Sequence, residues 1–148
     1  MNPRNVLLTL HILFAIVTVG WLFTQAMLTP RAIRGGNAGA VRFGANAAAK
    51  LGPAAIVVFL LGLALVLRQA DDHAEFEHQW VNISMLLFIV AAVNGAVFIG
   101  RAERSAAEKL EAGKDATAEA GRISMLGGIN MVLLIAIVFL MVAKPGVG

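Results

Sequence analysis

The sequence predicts an all-α polytopic membrane protein, a four-transmembrane-helix bundle with both termini outside and helical extensions in the cytoplasm. Three observations predict it. Hydrophobic residues make up 59% of the chain and charged residues only 14%, against roughly a quarter charged in soluble domains. Four apolar stretches run from Val6 to Leu28, Leu51 to Leu67, Val81 to Gly100 and Ile123 to Ala143, each near the ~20 residues that a bilayer crossing needs. Basic residues gather between the first and second stretches and between the third and fourth. Those two connectors hold nine Lys and Arg, and the opposite side holds Arg4, Arg68 and Lys144. Positive residues in short loops stay in the cytoplasm, so the termini and the second loop are expected outside.

The 148 residues are expected to form a single four-helix membrane domain, 1–148, with helices at about 5–29, 39–68, 79–112 and 116–143. The first apolar stretch is too long for a signal-peptide core and reads as a retained helix. Pro30 is expected to end it, because proline cannot continue the backbone ladder. Gly35-Gly36 breaks the chain, and helix resumes near Gly39, with Gly52-Pro53 as a kink site. The third helix is expected to project past the bilayer to about Glu111, since its connector is rich in Ala, Glu, Lys and Arg. Gly113 then ends it, and Asp115 or Thr117 caps the fourth helix.

The faces of the helices say what packs. His11, Ala15, Thr18, Leu22, Gln25 and Thr29 share one stripe of helix 1 at helical spacing, and polar side chains avoid lipid. In helix 3, Ala92, Ala96 and Gly100 recur every four residues, with Ala91 and Gly95 beside them, and in helix 4 Ser124 and Gly128 do the same, followed by Asn130. Small residues at this interval let helix backbones approach, so these five are the expected packing positions. Asn82, Asn94 and Asn130 can add hydrogen bonds between helices.

No Asp, Glu, Lys or Arg occurs within the four apolar stretches. Transport and proton relay usually place ionisable groups at membrane depth, so a pump or transporter is not the expected class. There is no cysteine, which removes disulfides and thiolate metal sites. The net charge of +3 is spread over juxtamembrane loops. It suits anionic headgroups of membrane lipid, and no nucleic-acid partner is expected.

Two histidine features leave chemistry open. His11 lies about 9 Å into helix 1 at ~1.5 Å per residue. It is either a buried hydrogen-bonding group or an axial ligand of haem b, with His78 as a second candidate ligand. The stretch "RQADDHAEFEHQW" contains His73, Glu77 and His78 among four acids. Imidazole with carboxylate suits copper or zinc, and the same composition suits a plain solvated loop ending at the interfacial Trp80.

The segments "LHILFAIVTVGWLF", "TPR", "GPA" and "FLMVAKPG" resemble small four-helix bacterial proteins known as predicted integral membrane proteins of unknown function. That group lies near the membrane domain of CopD-type copper-resistance proteins. The chain also resembles, more distantly, the four-helix protoporphyrinogen oxidases, whose first-helix leucine-histidine pair matches Leu10-His11. The likeness implies a bacterial plasma (inner) membrane protein, and the oxidase group implies haem at His11.

Packing surfaces and few chemistry-bearing groups in the apolar stretches point to a non-catalytic accessory or assembly subunit of a larger membrane protein complex, such as a respiratory oxidase or supercomplex. No cofactor is expected on that reading. A haem-binding redox protein using His11 and a copper- or zinc-handling protein using the outer loop are the alternatives.

Overall fold

The computed structural model describes residues 2–69 and 79–145, and among these the regular structure is all helical. Helix α1 spans Pro3–Arg34 and α2 spans Ala38–Gln69. The third long helix comprises α3 (Gln79–Val93), one π-helical turn (Asn94–Ile99) and α4 (Gly100–Glu111). Helix α5 spans Thr117–Ala143. Four helices are thus long and apolar enough to cross a membrane.

Local chemistry sets the ends. Asn2 caps α1 by accepting a hydrogen bond from the Arg4 amide at 3.1 Å, and Pro3 occupies the first turn, where its missing N–H costs nothing. Pro30 does not end α1, which continues to Arg34. The proline removes the hydrogen bond to the Ala26 carbonyl. Thr29, Pro30 and Ile33 are all buried, so packing holds the last turn in place of that bond. The helix stops instead at Gly35-Gly36, where Gly36 takes φ +67°, a value that glycine adopts without steric cost. Asn37 Oδ1 then accepts from the Ala40 amide at 2.9 Å and starts α2, which runs unbroken through Gly52-Pro53.

The second turn works in the same way. Gly113 has φ +67°, and Asp115 Oδ1 accepts from the Thr117 amide at 3.1 Å. Hydrogen bonds from Thr117 hold the Asp115 carboxyl below its usual range. At the opposite end, Lys144 Nζ lies 5.6 Å from the Trp80 ring centroid and ties the end of α5 to the beginning of α3.

Helix α1 packs between α2 and α5, α5 also packs on α3, and α4 closes the bundle against α2. At its 32 residues, α1 is about 48 Å long at ~1.5 Å per residue, well beyond a hydrocarbon core of about 30 Å. The excess is packed. Ile33, Val41, Ala102, Ala106, Ala107, Ala116, Ala120 and Ile123 form a core at the basic end. Two ion pairs clasp its rim, Arg42 with Glu111 and Lys109 with Glu119. In the apolar region the outward side chains are large hydrophobics such as Ile16, Ile135 and Val142, as lipid contact requires.

Candidate functional site

The most concentrated polar chemistry lies inside the bundle, where the apolar stretches give way to the projecting end. Helix α1 supplies Gln25 and Thr29, four residues apart on its inward face, and α4 supplies Glu103, which is only 1% exposed. Gln25 Nε2 donates to Glu103 Oε1 at 3.1 Å. Thr29 Oγ1 lies 3.3 Å from the same oxygen and 3.4 Å from Gln25 Oε1, so its single hydrogen can serve either. Gly44 of α2 makes room for this cluster: a Cβ there would meet the Gln25 amide at 3.1 Å.

A second polar layer joins the third helix to α5. Asn94 Nδ2 donates to Asn130 Oδ1 at 2.9 Å and to the Leu126 carbonyl at 3.0 Å. Asn130 is also 1% exposed, and its Nδ2 has no protein partner. Between the layers is a cavity of about 40 Å³, lined by Gln25, Glu103 and Asn130 together with Trp21, Gly95 and Gly127. A water needs roughly 10–15 Å³ by the same kind of measure. Water fits there and would give the Asn130 amide a partner. The cluster can bind water, share a proton through the Glu103 carboxyl, and lock three helices together.

His11 is partly buried, with Nδ1 3.0 Å from the Val58 carbonyl oxygen of α2. A carbonyl only accepts, so Nδ1 is the donor here, and in the neutral ring that tautomer leaves the lone pair on Nε2. The ring packs over Gly62, where a Cβ would come within 3.1 Å of Cε1. His73, Glu77 and His78 lie outside the described residues, and with them both the second haem-ligand candidate and the outer-loop metal set. Among the described residues no three His, Asp or Glu side chains gather as a metal-binding group.

The expected helix-1 stripe faces inward: Gln25 and Thr29 are buried, and His11, Ala15, Thr18 and Leu22 are partly buried. The five expected packing positions divide between the inside and the outside of the bundle. Ala92 and Gly100 are partly buried, whereas Ala96, Ser124 and Gly128 are exposed. In α5 the close-packed positions are one residue earlier, at Ile123 and Gly127, continuing to Asn130. In the third helix the inward residues are Ala91 and Asn94. The reason is physical: a four-residue interval fixes a face but does not say which of two adjacent faces is apolar enough to meet lipid. Gly127, not Gly128, makes the close contact, because a Cβ on it would fall 2.9 Å from Ala26 Cβ.

Glu103 was not legible as a site. It stands in a connector that otherwise reads as a solvated extension. The available signal was its neighbours: Ala102, Ala106 and Ala107 form an apolar stripe that includes position 103.

The profile of a family described as predicted integral membrane proteins, DUF2269, matches residues 5–145. The chain belongs to this family. Apart from the first two residues of α1, the match covers the four long helices and both glycine turns, so the buried polar layers lie within the family's own extent. No curated protein and no solved structure matches the chain.

Proposed function

We propose that this DUF2269 chain is a non-catalytic accessory or assembly subunit that docks on a larger complex in the bacterial plasma membrane, a respiratory oxidase or supercomplex being the kind of host. The observation that carries the reading is the projecting end. Helices that only need to cross a bilayer can stop at its surface, yet here α1, α2 and α4 continue as a packed, ion-paired body. On its outside, Phe43 is 71% exposed, an apolar group placed beyond the apolar stretches where a partner protein could cover it. Purification from native membranes in a gentle detergent tests this. A stoichiometric companion is expected with the wild type and less of it with Phe43→Ser; a protein that migrates alone counts against the proposal.

A second reading is favoured by one observation at His11. Histidines that bind metals generally donate their other ring N–H to a carbonyl or carboxylate, which fixes the tautomer. The Nδ1 contact with the Val58 carbonyl is of that kind and leaves Nε2 for a haem iron. The test is the absorption spectrum of the purified protein. On this reading a Soret band is present and is lost in His11→Ala, and a colourless wild-type preparation removes it.

A further inference from the structure

Helices α1 and α5 come close at Ala26 and Gly127 and part at Gly128. A Cβ on Gly127 would fall 2.9 Å from Ala26 Cβ, whereas one on Gly128 would meet nothing within 4 Å. The missing side chain at Gly128 and the short one at Ser124 leave an outward groove of about 310 Å³. Phe23 and Met27 of α1 form one wall, and Met131 of α5 contributes to the other. At its basic end the groove reaches Pro30, Arg31 and Arg34. The two arginines are three residues apart, hence on neighbouring positions of one helix face. Among the described residues no carboxylate forms an ion pair with either of them.

The lining changes along the groove in the way a lipid molecule does. Phe23, Met27, Gly128 and Met131 belong to the apolar stretches, so that part is at acyl-chain depth. Arg31 and Arg34 follow Leu28, the last residue of the first stretch, which puts them at headgroup level. A soluble anion would have no use for the apolar part.

We infer that the α1–α5 groove is a binding site for one anionic phospholipid, with an acyl chain over Gly128 and Ser124 and the phosphate at Arg31 and Arg34. The inference rests on the groove's own lining and does not depend on the accessory-subunit reading.

The test uses the full chain in mixed micelles, with bound lipid counted by native mass spectrometry. Phosphatidylglycerol and phosphatidylcholine with the same acyl chains are compared, and glycerol phosphate is added as a soluble competitor. A basic residue near the membrane surface is worth about five-fold in anionic-lipid affinity, so two predict about a 25-fold preference for phosphatidylglycerol. Arg31→Gln/Arg34→Gln abolishes that preference. Gly128→Leu, placed where there is open space, fills the groove and reduces retention of phosphatidylglycerol with the fold intact by thermal melting. Equal retention of the two lipids by the wild type overturns the inference. Unchanged retention in Gly128→Leu does the same, as does displacement by glycerol phosphate, which would make this a site for soluble anions.

Discussion

Glu103→Ala is expected to lower the stability of the bundle by about 2–4 kcal/mol, the largest effect of any single substitution considered for this chain. Removing one partner of a buried hydrogen bond leaves the other desolvated and unpaired, at about 1–3 kcal/mol for each orphaned group. Here the loss strands the Gln25 amide and releases Thr29, both buried on α1. Glu103→Gln keeps an acceptor oxygen and nearly the same volume, so it should cost no more than about 1 kcal/mol. Chemical denaturation in detergent, followed by far-ultraviolet circular dichroism, separates the two. If alanine and glutamine behave alike, the polar layer is not what joins α4 to α1.

Gly127→Ala is the second large effect. The added methyl would sit 2.9 Å from Ala26 Cβ, closer than two carbons can approach, so α1 and α5 must move apart. Overpacking of this kind costs about 1–3 kcal/mol. The neighbouring Gly128→Ala meets no atom within 4 Å. It should be neutral or stabilising by up to about 1 kcal/mol, because alanine is the better helix former. Ala26→Gly introduced with Gly127→Ala returns the missing space and should recover part of the loss. Thermal unfolding of the three variants checks the order; equal melting of Gly127→Ala and Gly128→Ala would remove the close contact from the account of packing.

Much of the architecture was legible in the sequence, because the apolar lengths and the glycine breakers Gly35-Gly36 and Gly113 act locally. The stripe from His11 to Thr29 was legible too, since polar groups recurring on an otherwise apolar helix have only the bundle interior to face. Two things were hidden. Pro30 carries a local stop signal, and only the tertiary burial of Thr29 and Ile33 explains why α1 passes through it. The π turn at Asn94–Ile99 has no marker in the residues themselves. In a regular helix, Asn94 and Glu103, nine residues apart, would be turned about 180° from each other at ~100° per residue. One extra residue absorbed by the wider turn reduces this to about 80°. That lets both polar layers belong to one interior, which a strict four-residue interval through Ala92, Ala96 and Gly100 does not describe.

The left-handed glycines Gly36 and Gly113 close both helix pairs on the same side, as the contact between Arg42 and Glu111 across them requires. During synthesis, α1 and α2 can therefore enter the bilayer together, as a ready-made pair, before the second pair has left the ribosome. The Glu103 carboxyl belongs to the second hairpin and Gln25 and Thr29 to the first, so their contact is what joins one hairpin to the other.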